Sequence, residues 1–287
     1  MITKEAKQRI VKATGQRRAN YGSDTKMFVF LGINNAQYSR IMRGELDNVV
    51  SDAKWITIAR KLEVQLNDNA QWVTARTPMY DYVYMHMTHC QQWSVSGMLC
   101  DIPDIGKTFS AKCYVKENKN AVYIDCSQVK SRQRLIRQLA KEFGLGYTGR
   151  YTDVYEDLVY YLRSTPNPFI VLDESGDLDY PAFLELKALW NATEKACGWY
   201  MMGADGLKAK IEANIGRKKV GYAEIFSRFG NRYNKVTPDG REALDDFIRT
   251  QVALIVLAND PDADVNKIYA KTGGSLRRIF TEIHKIK

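Results

Sequence analysis

Long apolar runs are missing from this sequence. No stretch approaches the roughly eighteen consecutive apolar residues that a membrane-spanning helix requires. The opening residues Met1-Ile2-Thr3-Lys4-Glu5-Ala6-Lys7 also lack the apolar core of a secretory leader. A cytoplasmic protein with no membrane partner is therefore expected. Histidine is scarce, three residues in 287. His86 and His89 stand three apart, but no clustered cysteine or aspartate completes a metal set, which argues against a zinc site. The five cysteines (Cys90, Cys100, Cys113, Cys126 and Cys197) are an odd number without C-x-x-C spacing, as expected of reduced core thiols.

What is abundant is positive charge, and it is unevenly placed. The net charge is +9 over the whole chain. Residues 1–66 carry twelve Lys/Arg against six Asp/Glu, a net of +6, which leaves a body close to neutral. A basic N-terminal segment on a neutral body points to a polyanion, nucleic acid first. A basic surface serving solubility alone is the competing reading. At 287 residues the chain has room for two domains.

The N-terminal sixty residues read as helices. Lys4 to Asn20 carries Ala6, Ile10, Val11 and Ala13 or Ala19 on one side. Ser23 offers an N-cap to a short run through Phe30, and Leu31-Gly32-Ile33 reads as a tight turn. A further helix over Asn34–Gly44 turns Tyr38 and Ile41 inward and Asn35, Gln37, Ser39, Arg40 and Arg43 outward. The last, Ser51 to Leu62, is expected to bury Ala53, Ile56, Ile58 and Ala59 or Leu62. Leu31-Gly32-Ile33 followed by Tyr38-Ser39-Arg40-Ile41 and Gly44 resembles the helix-turn-helix of phage repressor-like domains. That resemblance implies a second helix in the major groove of duplex DNA. Asn35, Gln37 and Ser39 would reach bases or phosphates, Arg40 and Arg43 phosphates. A helical bundle for protein contacts, with Arg40 in an internal ion pair, is the alternative.

Polar residues 67–71 and the helix-breaking Thr77-Pro78 mark a linker over 67–78. Beyond a helix spanning Met79–Gln92, Ser94–Cys100 reads as a buried strand. It runs into Asp101-Ile102-Pro103-Asp104-Ile105-Gly106-Lys107-Thr108 and then a helix from Phe109. Strand, tight loop, Gly-Lys-Thr and helix are what a phosphate-binding loop requires. Loop and helix N–H groups over Asp104, Ile105, Gly106, Lys107, Thr108 and Phe109 would face the phosphates of ATP. Lys107 would reach the β/γ oxygens, and Thr108 would ligate Mg²⁺. Asp101 and Asp104 occupy two positions where such loops usually carry glycine. Two carboxylates there weaken nucleotide binding unless they point away.

Pro168-Phe169-Ile170-Val171-Leu172-Asp173-Glu174 is an apolar strand ending in two carboxylates, the Walker B arrangement. Asp173 would hold Mg²⁺ and Glu174 would orient and deprotonate the attacking water. With the strand Ala121–Cys126 and the helix Arg132–Phe143 between the motifs, the alternation is that of an α/β fold with a parallel sheet.

The later segments resemble AAA+ ATPases. Asp205, closing the strand Gly198–Asp205, is placed where a polar residue senses the γ-phosphate. Glu224-Ile225-Phe226-Ser227-Arg228-Phe229 resembles the segment carrying an arginine finger, with Arg228 acting on a neighbouring subunit. Gly273-Gly274-Ser275-Leu276-Arg277-Arg278 resembles the start of the sensor-2 helix, with Arg277 on the nucleotide. The resemblance implies an AAA+ core over 79–237, a parallel sheet flanked by helices, and a short helical lid over 238–287, after an all-α helix-turn-helix domain over 1–66.

This architecture resembles the MuB family of transposition ATPases, related to the IstB, TniB and TnsC proteins. The resemblance implies ATP-dependent assembly on double-stranded DNA as a homo-oligomer, a helical filament or ring. It also implies delivery of that DNA to a transposase, hydrolysis driving disassembly, and association with the nucleoid. Lys130, Arg132 and Arg134, after the second strand, are expected along the DNA backbone; a solvated helix start is the alternative. Other functional readings are an ATP-switched transcription regulator, a replication-initiator or helicase-loader ATPase, and a non-hydrolysing scaffold.

Overall fold

The computed structural model describes residues 2–66 and 72–286. Of the expected linker, 67–71 lie outside the described residues. Four helices come first: α1 (Lys4–Tyr21), α2 (Asp24–Leu31), α3 (Asn35–Met42) and α4 (Asp52–Lys61). Each starts at a side-chain cap, Thr3, Ser23, Asn34 and Ser51, whose oxygen accepts an otherwise orphaned backbone N–H. Gly32, at φ 69°, turns the chain from α2 into α3 through the left-handed region. Ile10, Met27, Phe30, Leu31, Tyr38, Ile41, Trp55 and Ile58 form the core of this unit.

One expected stripe is corrected. In α4 the buried set is Trp55, Ile58, Ala59 and Leu62, while Ile56 is 50% exposed and Ala53 faces solvent. The i, i+3, i+4, i+7 register through Trp55 buries the largest side chain available, and that outweighs Ile56. On α1, Ala19 is exposed and Thr14 is buried instead, its hydroxyl donating to the Ile10 carbonyl at 2.8 Å.

The remaining chain alternates helices and strands. It runs α5 (Pro78–Gln92), β1 (Ser96–Cys100), α6 (Lys107–Glu117), β2 (Ala121–Asp125), α7 (Arg132–Glu142) and α8 (Tyr151–Ser164). There follow β3 (Phe169–Asp173), α9 (Tyr180–Ala192), β4 (Gly198–Gly203), α10 (Asp205–Gly216) and α11 (Tyr222–Arg228). The four strands make a wholly parallel sheet in the order β1-β4-β3-β2. Parallel strands need crossovers, which places helices on both faces and makes the strands apolar throughout. Met98, Ile124, Ile170, Leu172 and Met201 pack one way, with Leu135, Leu158 and Leu186 of α7, α8 and α9. Their neighbours Leu99, Val171, Tyr200 and Met202 pack the other way, with Val83 of α5 and Tyr114 of α6.

On the free edge of β1, Asn234 forms a single parallel bridge with Leu99. Its carbonyl accepts from Cys100 N at 3.0 Å. Three further helices, α12 (Arg241–Asn259), α13 (Val265–Thr272) and α14 (Leu276–Ile286), close the chain around Val252, Val256, Ile268, Ile279 and Ile283. Trp72 packs into that cluster, its ring 5.1 Å from Phe280. No helix among the described residues is long and apolar enough to cross a membrane. The C-terminal ends of all four strands open on one edge, where ligands of open parallel sheets bind.

Candidate functional site

Cys100 ends β1, and the chain turns through 101–106 into α6. Gly106, at φ 94°, heads α6 without a side-chain cap, so the helix's first N–H groups and its positive dipole end are available to an anion. Ile105 is buried beside it, while Phe109 is exposed on the first turn. Lys107 lies folded on the loop, its Nζ donating to the carbonyls of Asp101 at 2.7 Å and Ile102 at 2.5 Å. It is 8% exposed, and burial pushes its ammonium below the usual lysine range, against the pull of Asp101, Asp173 and Glu174.

Both carboxylates that stand in place of glycine have partners within the protein. Asp101 is 1% exposed. Its carboxylate accepts from the backbone of Ile102 at 2.8 Å, Val236 at 2.7 Å and Thr237 at 2.9 Å, and from the Thr237 hydroxyl. It ties the stretch beside β1 to the base of the loop. Asp104, at φ 60°, reaches the C-terminal helices, accepting from Ser275 Oγ at 2.6 Å. Asp101 is thus turned into the protein, whereas the Asp104 carboxylate stays on the loop, shared with the start of the C-terminal helix.

At the end of β3, Asp173 is buried and accepts three hydrogen bonds: from Thr108 Oγ1 at 2.6 Å, Tyr123 Oη at 2.7 Å and Glu174 N at 2.9 Å. Thr108 and Asp173 thus meet across the loop, 65 residues apart in sequence. One carboxylate and one hydroxyl suit Mg²⁺, which keeps most of its shell for water and phosphate oxygens. Glu174 sits at φ 49° with its side chain exposed beside this pair. Partial burial, then the Asp173 charge, pushes its carboxyl upward, the direction required of a proton acceptor working near neutrality. Tyr123 was missed by sequence reasoning. Its only signal was a hydroxyl among the apolar residues Ala121, Val122 and Ile124 of β2, and burial together with Asp173 keeps that phenol protonated.

The other expected residues divide. Asp205 opens α10 directly after β4 and is exposed. The loop and the C-terminal helices are brought together: Arg277 N lies 3.2 Å and its Nε 3.6 Å from Asp104 Oδ1. Arg228 is not brought to this chain's own loop. Its Nε donates to Asn191 Oδ1 at 2.8 Å and its guanidinium lies 5.3 Å from the Trp190 ring. Trp190 in turn bonds Ser96, at the opposite end of β1 from Lys107. Lys130, Arg132 and Arg134 follow β2 on the same sheet edge as Asp173 and are exposed. Lys130 Nζ lies 3.6 Å from Asp177, and Arg132 lies 5.4 Å over the Tyr151 ring.

On α3, Asn35 and Arg43 are exposed and Ser39 is half-buried. Gln37 is partly committed: its Oε1 accepts from Asn34 N at 3.2 Å while its own N–H donates to Asn34 Oδ1 at 2.8 Å, a capping box. Arg40 forms the internal ion pair named as its alternative, Nε to Glu45 at 2.7 Å. An exposed pair of this kind is weak enough to exchange for a phosphate.

Residues 96–211 match the family model described as an AAA domain, a segment running from the start of β1 into α10. The matched segment holds the four-stranded parallel sheet and the loop before α6, an α/β fold consistent with an AAA domain. No curated protein matches the chain. Among solved structures it is similar to the Aeropyrum pernix ORC1 protein in complex with DNA. Identity is 16% over 77% of this chain and 68% of that one, with a TM-score of 0.47.

Proposed function

We propose that this chain is an ATP-dependent DNA-binding ATPase that assembles on duplex DNA and delivers it to a transposase, hydrolysis governing release. The nucleotide half rests on one observation: Thr108 and Asp173 are hydrogen-bonded at 2.6 Å beside an uncapped helix start, with Lys107 folded onto the same loop. Mg²⁺ bound there would supply the positive charge that the β- and γ-phosphate oxygens require. Lys107 would exchange two loop carbonyls for phosphate oxygens, Thr108 and Asp173 would hold the metal, and Glu174 would accept the proton of the attacking water. Arg228 is held on α9, away from this chain's own loop, and is assigned to a neighbouring subunit's nucleotide, so that turnover requires assembly.

The DNA half rests on an open α3, read as the recognition helix of a helix-turn-helix, and on the basic start of α7 at the nucleotide edge. The transposase partner rests on the architectural resemblance to MuB-type ATPases. A sequence-reading regulator is the second reading, favoured by the exposed Asn35 at the start of α3, whose amide suits an adenine edge.

Fluorescence anisotropy on two unrelated duplexes separates the two. Tight binding to both with Mg-ATP, lost without nucleotide and in Lys107→Ala, is the expected result. Equal binding without ATP, or binding that depends on a chosen sequence, overturns it in favour of the regulator. Charge reversal at Lys130 and Arg132 is expected to abolish the ATP-dependent binding while nucleotide affinity stays intact.

A further inference from the structure

The three residues that open the last helix converge on the phosphate loop. Ser275 Oγ donates to Asp104 Oδ2 at 2.6 Å, and Arg277 N donates to Asp104 Oδ1 at 3.2 Å. The Arg277 Nε lies 3.6 Å from the same oxygen. Between them, Leu276 Cδ1 lies 3.7 Å from where a Cβ on Gly106 would stand. Arg277 N is one of the N–H groups a helix start leaves without an internal partner. Asp104 therefore caps α14 from another element, 171 residues away in sequence, with its charge at the helix's positive end. The Asp104 side chain is 27% exposed and that of Arg277 83%, so the aspartate is held and the arginine is free to turn.

We propose that Asp104 is a positioning residue that latches the C-terminal helices onto the phosphate loop and keeps Arg277 beside the nucleotide site until a nucleoside triphosphate takes the arginine over. The latch stands on the contacts themselves; the handover rests on the nucleotide reading above. A triphosphate brings several negative charges to a loop that already carries the Asp104 carboxylate, and like charges at such separations disfavour one another. Arg277 has one carboxylate partner before the phosphates arrive and a more highly charged one afterwards. The aspartate thus has two opposed effects: it preorganises the helices over the loop, and it lowers affinity for the nucleotide. A glycine at this position would provide neither.

Two variants separate the effects. Asp104→Asn keeps a capping oxygen and removes the charge; Asp104→Gly removes both. Hydrogen exchange at the backbone of residues 275–279 is followed in the nucleotide-free full chain, and Mg-ATP affinity is measured at low and high salt. Asp104→Gly is expected to speed exchange there about five- to tenfold, the loss of one cap, while Asp104→Asn stays close to the parent. Asp104→Asn is expected to bind Mg-ATP about tenfold more tightly at low salt, the gain shrinking as salt screens the charge. Unchanged exchange in Asp104→Gly overturns the latch. Unchanged affinity in Asp104→Asn overturns the handover. If neither the parent nor the variants bind Mg-ATP, the nucleotide reading falls together with the handover, and the exchange result still decides the latch.

Discussion

At the scale of single residues, carboxylates with different partners do different work. Asp101 is buried and satisfies three backbone N–H groups and a hydroxyl. Asp101→Ala would leave those donors buried without an acceptor, and a loss of about 3–5 kcal/mol in core stability is expected from denaturant unfolding. Asp101→Asn should fall between the two, since its one carbonyl oxygen can replace only part of the acceptor set. Lys61 shows the cost of the opposite charge. Its Nζ donates to the Phe30 carbonyl, while burial, then Lys141, Lys54 and Arg60, pushes its pKa down to about 8 from 10.5. Between those values the unfolded chain holds the proton and the folded chain releases it, so stability rises with pH across that window. Below pH 8 the folded state carries the full cost. Unfolding of Lys61→Met compared with the parent from pH 7 to 10 should show this rise only in the parent.

At the scale of elements, capping and apolar spacing decided what was legible. The starts of α2 and α5 follow from Ser23 and Thr77-Pro78, because a side-chain acceptor and a fixed proline φ act locally. The strands of the motifs were legible because a parallel strand covered on both faces is apolar along its whole length. The stripe of α4 was misread because Ala53 and Ile56 offer a plausible apolar face, and only the packing partners select Trp55. In α3, Asn34 and Gln37 cap one another, so Asn34→Ala should cost about 1 kcal/mol in the N-terminal helices. Thermal unfolding of that unit checks this, and no change would mean that solvent already competes at the cap.

At the scale of the whole molecule, the N-terminal helices are fastened to the α/β core. Arg17 donates to the Val115 carbonyl at 3.3 Å, Asn20 to the Lys116 carbonyl at 2.7 Å, and Lys26 Nζ lies 4.1 Å over the Tyr161 ring. Gly144, at φ 70°, admits the closest approach: a Cβ there would stand 2.5 Å from the Lys26 carbonyl oxygen. Gly144→Val should therefore force the two units apart, and faster hydrogen exchange along α1 and α2 would register it. Retained protection would show that the junction can shift without opening. The second fastening runs from the other end of the chain. Val73 and Asn259 exchange hydrogen bonds at 2.8 and 3.0 Å, joining the segment before α5 to the C-terminal helices.

The sequence by itself determined the strand–loop–helix around Lys107, the carboxylates closing β3 and the helices of the basic N-terminal segment. Each of these depends on residues within a few positions of one another, through capping, φ preference or apolar spacing. Only the tertiary structure decided where the side chains of Asp101 and Asp104 go, that Tyr123 joins Thr108 on Asp173, and that Arg228 lies at the far end of the sheet from Lys107. Those outcomes depend on groups tens to more than a hundred residues away, and local propensity carries no information about a partner that only folding brings near.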